Sequence, residues 1–204
     1  MDASRFSEQL PAKRLSRRRL LQGVGASAIG AILGSACSGN TRDVRFGADV
    51  NLGRVPDLEA MIEFGRSGPG GVATPGRLHR PALRLYLVSY PTSALNLAGE
   101  VYPSQVLTGM REGVLALHDR CPVEGCLIGF CEASGYFQCG CGDSEFNLAG
   151  EKRSGSAPRG MDNFAMQING DRTLTVKTST MFPGPPIGAN TLGQDSLGGF
   201  CVFE

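Results

Sequence analysis

Cys121-Pro122-Val123-Glu124-Gly125-Cys126 and, downstream, Cys139-Gly140-Cys141-Gly142-Asp143-Ser144-Glu145-Phe146 are the two stretches on which the reading of this chain turns. Each follows a short apolar segment, Val114 to Leu117 and Tyr136 to Gln138, as loops at strand ends do. Three further cysteines, Cys37, Cys131 and Cys201, bring the total to 7. With Cys37 set aside as the odd one, six remain, and spacing alone leaves their pairing open. Four of them could instead hold a tetrahedral metal or an all-thiolate cluster. The single residue between Cys139 and Cys141 argues against it, because a metal knuckle commonly places two there.

Working outward, Leu83 to Tyr90 reads as a strand, with Leu83, Leu85 and Leu87 alternating with Arg84, Tyr86 and Val88. Asn163 to Ile168 and Thr173 to Lys177 flank Asn169-Gly170-Asp171, a hairpin turn in which the Asn-Gly pair tolerates positive φ. Residues 38–80 are polar and glycine-rich, with Gly65 to Gly76 unable to pack a core, and read as a flexible linker. A short helix is expected at Pro56 to Phe64. The tail beyond Phe182 is rich in Pro and Gly and should run over the surface. The chain has 204 residues with 29 Gly, 12 Pro and no Trp, which suits one β-rich domain. A formal charge of +1 provides no field to attract nucleic acid.

The N-terminus reads as an export address. Ser16 to Gln22 is S-R-R-R-L-L-Q, a twin-arginine pair after a basic stretch, and Leu20 to Ala36 is apolar but rich in Gly and Ala. Leu33-Gly34-Ser35-Ala36-Cys37 places small residues before a cysteine, as at lipoprotein processing sites, although Gly34 stands where leucine is usual. Lipidation of Cys37 and an uncleaved anchor in residues 1–37 both leave the domain at the outer face of the cytoplasmic membrane.

The two cysteine loops resemble those of the Rieske iron-sulfur proteins, C-x-H-x-x-C and C-x-C-H. The resemblance extends through Gly155-Ser156-Ala157-Pro158-Arg159-Gly160, similar to that family's covering loop, and spans about Leu83 to Ile187. It implies an all-β, small antiparallel domain over residues 81–187, with 188–204 as a C-terminal tail. It makes Cys121 and Cys139 the iron-binding cysteines of a [2Fe-2S] centre and Cys126 and Cys141 the disulfide that braces the loops. Cys131 and Cys201 would form a further bridge. Ser144 matches a serine that hydrogen-bonds the cluster in relatives, and Phe146 an aromatic beside it.

At the family's histidine positions stand Val123 and Gly142, neither of which can ligate iron. Only His79, in the linker, and His118, before the first loop, exist in the chain. His118 is the one substitute to consider; its other reading is a partly exposed strand residue. Without imidazoles, Cys121 and Cys139 would face each other and could themselves form a disulfide. Asp119, Glu124 and Asp143 read as solvated loop carboxylates, and no nucleophile-base constellation is present.

In relatives the cluster takes an electron from quinol and passes it to a cytochrome. The resemblance therefore implies a subunit of a membrane electron-transfer complex of the quinol-oxidising kind, with cytochrome b or c partners, in which the fold serves docking without a cluster. Two other readings stand beside it: an electron carrier holding an iron-sulfur or other metal centre with altered ligands, and an exported lipoprotein binding module.

Overall fold

Two antiparallel sheets organise the described residues, 46–57 and 76–201, of this computed structural model. The strands are β1 (Asp49–Arg54), β2 (Arg77–Arg80), β3 (Leu85–Ser89), β4 (Val114–His118), β5 (Ile128–Cys131), β6 (Tyr136–Cys139), β7 (Glu145–Phe146), β8 (Lys152–Ser154), β9 (Asn163–Ile168) and β10 (Thr173–Phe182). Six form one sheet in the order β1-β10-β9-β4-β3-β2, and four form the other in the order β5-β6-β7-β8. The expected all-β, antiparallel architecture is what the chain adopts.

β3 and β4 lie inside the large sheet and are apolar enough to be buried on both faces. Leu85, Leu87, Val88, Leu115 and Leu117 are all fully buried, and Tyr86 nearly so. The alternation in Leu83 to Tyr90 is thus one of residue type and not of exposure, and Leu83 itself falls in a short 3-10 turn. Two seven-residue helices, α1 (Leu95–Val101) and α2 (Ser104–Met110), connect β3 to β4. Gly109 lets α2 lie close on β9, since a Cβ there would collide with the Met166 thioether.

The structure corrects the linker assignment. Asp49–Arg54 pairs with β10 through Val50↔Val176, and Arg77–Arg80 pairs with β3 through Leu78↔Leu87. Both are edge strands, which need only one paired side and little apolar content. Residues 55–57 are helical and the rest of the expected helix lies outside the described residues, as do the leader and Cys37. No helix among the described residues is long and apolar enough to cross a membrane.

The β9-β10 hairpin forms, with Asn169 N–H donating to the Thr173 carbonyl at 2.9 Å. Its left-handed residue is Arg172 (φ 60) and not the Asn-Gly pair. The loop is longer than a two-residue turn, and such loops place the positive φ at their last position.

The tail is not a loose end. Leu197 N–H bonds the Ser134 carbonyl at 2.8 Å, Gln194 Nε2 bonds the Gly135 carbonyl at 2.9 Å, and Thr191 is buried. Thr191 Oγ1 donates to the buried Glu151 carboxylate at 2.6 Å, which also accepts from Asn147 Nδ2 and Tyr102 Oη. These bonds satisfy a carboxylate that would otherwise be costly to bury.

Candidate functional site

The small sheet carries both cysteine loops at one end. The first leaves β4, turns at Gly125 (φ +70) and returns into β5, closed by Cys121 N–H to the Cys126 carbonyl at 2.9 Å. The second follows β6 and is closed by Cys139 N–H to the Ser144 carbonyl at 2.9 Å. The loops meet where Gly140 N–H donates to the Leu127 carbonyl at 3.0 Å, and a Cβ at Gly140 would press on that same oxygen. Tyr86 ties the large sheet to this end: its hydroxyl donates to the Ile128 carbonyl at 3.1 Å and its ring packs 4.8 Å from Phe137.

A third loop lies over the second. Asp143 accepts from the backbone and hydroxyl of Ser156 at 2.9 and 3.0 Å, and these bonds hold its carboxyl below the ordinary value. Ala157 N–H donates to Ser144 Oγ at 2.9 Å. A Cβ on Gly155 would collide with the Asp143 carbonyl, so the contact requires glycine there. Ser144 is therefore a fixed, buried hydroxyl that joins two loops, and Phe146 is fully buried.

Cys126 and Cys141 are disulfide-bonded with Cα atoms 6.2 Å apart, and Cys131 is bonded to Cys201 at 5.6 Å. The first bridge spans the two loops; the second holds the tail. With two of the four loop sulfurs bonded together, a four-thiolate metal site is excluded. Cys121 and Cys139 remain free thiols and are buried, 4% and 3% exposed. They are not bonded to each other. Burial is the main cause that pushes the Cys121 thiol above its ordinary value.

The two histidine positions of the resemblance are at the solvent-facing tip. Val123 is 48% exposed and Leu127 beside it 47%. A Cβ added at Gly142 would rest 3.6 Å from the Cys139 sulfur, an ordinary contact. Glu124 Oε2 lies 3.4 Å from Cys141 Sγ. Glu124, Cys126 and Cys141 form the one three-residue group of metal-ligand type among the described residues, and its two sulfurs are consumed in the disulfide.

Neither histidine serves as a substitute ligand. His79, on β2, stacks on Tyr86 with centroids 4.0 Å apart and bonds Asp119 Oδ2 at 3.0 Å. His118 is buried, not partly exposed, between Phe46 (5.6 Å) and Phe164 (5.5 Å). Burial lowers its pKa. Asp119 is not a solvated carboxylate either: it is 1% exposed and faces both His79 and Arg120. Its role was hidden in the sequence because its partner His79 stands on another strand.

A Rieske centre needs two thiolates on one iron and two imidazoles on the other. Cys121 and Cys139 supply the sulfur half. No third side chain of ligand type joins them among the described residues. The residues present do not fit the group.

No protein-family model and no curated protein matches the chain. Among solved structures it is similar to the plasma membrane Rieske protein of the cyanobacterium Synechocystis PCC 6803, at 23% identity over 63% of this chain and 98% of that one, with a TM-score of 0.37. It is also similar to the soluble domain of Rieske protein II from Sulfolobus acidocaldarius, at 14% identity over 63% and 76% of the two chains, with a TM-score of 0.41. Similarities of that size leave the reading of the site to its own residues.

Proposed function

We propose that this chain is a Rieske-type module, exported to the outer face of the bacterial cytoplasmic membrane, that acts as a cluster-free docking subunit of a quinol-oxidising electron-transfer complex. One observation carries the reading. The loops keep their disulfide brace, their close glycine contacts and their covering loop, while the positions that would complete a cluster hold Val123 and Gly142. The scaffold is intact where the chemistry is missing, which suits a part retained for its shape. Its tip offers the exposed apolar side chain of Val123, where an imidazole stands in the family pattern, and that of Leu127 on the same loop. The twin-arginine leader and Cys37 support membrane tethering.

The test is purification of the tagged full chain from detergent-solubilised membranes of its native host. Co-elution with subunits that carry b- or c-type haem is the expected result. Isolation alone, or with partners lacking haem, would favour the exported binding module instead. The free thiols Cys121 and Cys139 favour one second reading, a site of altered ligands. Metal analysis separates it from the first.

A further inference from the structure

We infer that the Cys126–Cys141 bond at the loop tip is a reversible two-electron redox site that exchanges with the dithiol of a partner protein, and that Glu124 accepts the thiol hydrogen of its reduced form. Neither sulfur stands at a cluster-ligand position of the family pattern, so the inference does not rest on the cluster-free reading above.

Access separates the two disulfides. Cys141 is exposed and Cys126 only partly buried, whereas Cys131 of the other bridge is fully buried, with the Gly199 carbonyl of the tail 3.6 Å from its sulfur. Cys141 stands between Gly140 and Gly142, so no flanking side chain screens it. Val123 and Leu127, on the loop that carries Cys126, are exposed as well and give a partner apolar surface close to the bond. Thiol–disulfide exchange requires a thiolate to reach the sulfur it attacks, and only the tip bond offers that.

Both oxidation states fit the same loops. Cys121 N–H to the Cys126 carbonyl and Gly125 N–H to the Cys121 carbonyl close the first loop, and Gly140 N–H to the Leu127 carbonyl joins it to the second. Ser156 and Ala157 hold the second loop through Asp143 and Ser144. None of these bonds involves a sulfur. Opening the disulfide lowers global stability through the unfolded chain and leaves this backbone framework in place.

The exchange runs in two steps. A partner thiolate attacks Cys141 Sγ, forming a mixed disulfide and releasing Cys126 as a thiolate that takes up a proton. The partner's second thiolate then attacks its own sulfur in the mixed disulfide and releases Cys141, which takes the second proton. The chain gains two electrons and two protons, and the partner dithiol becomes a disulfide. Glu124 Oε2 lies 3.4 Å from Cys141 Sγ, and a carboxylate oxygen and both sulfurs fall within 4.8 Å of one another. A disulfide sulfur has no hydrogen to donate, so the charge-assisted bond from the Cys141 thiol to Glu124 belongs to the reduced state alone.

The experiment equilibrates the full chain anaerobically with purified thioredoxin, as the protein dithiol, at a series of reduced-to-oxidised ratios. Acid quench, alkylation and peptide mass mapping report each cysteine, and circular dichroism reports the fold. Cys126–Cys141 should open along a two-electron curve and close to the same pairing when oxidised thioredoxin is restored, with the folded spectrum kept throughout. Cys131–Cys201 should open at least about tenfold more slowly, because its buried sulfur is reached only through local unfolding. Glu124→Gln, which leaves a neutral acceptor, should raise the ratio needed for half reduction about threefold. A tip bond that stays closed in excess reduced thioredoxin, that opens only as the folded spectrum is lost, or that reoxidises to a bond with Cys121 or Cys139 would overturn the redox site. So would equal opening rates for the two bridges. A midpoint unmoved by Glu124→Gln would overturn the role given to Glu124.

Discussion

Replacing Val123 and Gly142 together with histidine should convert the loops into an iron-sulfur site without unfolding the domain. Gly142 is not among the residues with positive φ, and a Cβ there meets only the Cys139 sulfur at 3.6 Å. A side chain at such a position stabilises by about 0.4–1 kcal/mol through the unfolded chain. Val123 is half exposed, so removing it forfeits roughly half of the ~1.5–3 kcal/mol that full burial of valine is worth. The two effects oppose each other and leave a net change within about 1 kcal/mol, or roughly 2–4 °C in Tm for a domain of this size. The variant, produced in a host that assembles clusters and exported through the twin-arginine route, should contain stoichiometric iron and sulfide. Its reduction potential should fall in the range of imidazole-ligated centres, roughly −150 to +300 mV. A double variant that melts within a few degrees of the original and takes up no iron would refute the reasoning, because the cysteines would then not have the geometry of a cluster site.

Three further outcomes are expected. Removing the Cys131–Cys201 bridge by alanine at both positions should cost more stability than removing Cys126–Cys141 in the same way. The bridges close separations of 70 and 15 residues, for which loop entropy gives about 4.4 and about 3 kcal/mol; urea midpoints compare them. Gly155→Ala should destabilise by about 2–5 kcal/mol, from a left-handed backbone and collision with the Asp143 carbonyl, read by thermal unfolding. Burial lowers the pKa of His118, so the folded chain binds its proton less readily than the unfolded chain does. The stability this contributes is present above about pH 6.5 and is lost as pH falls through the folded value. His118→Phe should flatten the urea midpoint across that window; an unchanged slope would assign it to other groups.

The sequence made the inner strands legible where apolar residues cluster, as in Val114 to Leu117 and Asn163 to Ile168. It concealed β1 and β2 because edge strands such as Arg77–Arg80 carry few apolar residues and read as linker. It concealed α1 and α2 because seven residues are too few to establish a helical period. The cysteine loops were legible from their spacing together with the family resemblance. The environments of Asp119 and Glu151 were not, since each bonds a partner 40 residues away, His79 and Thr191. The tail read as surface chain for the same reason: its hold on the domain runs through Thr191, Gln194 and Cys201, single polar contacts and one bridge with no periodic signature.

The claim that the scaffold persists without its cluster is tested most directly by iron and acid-labile sulfide on the full chain, exported in its native host and purified without chelator, with an EPR spectrum after dithionite reduction. A folded protein with neither element in stoichiometric amount and no iron-sulfur signal is the expected result. Stoichiometric iron and sulfide with a reduced-cluster spectrum would contradict it.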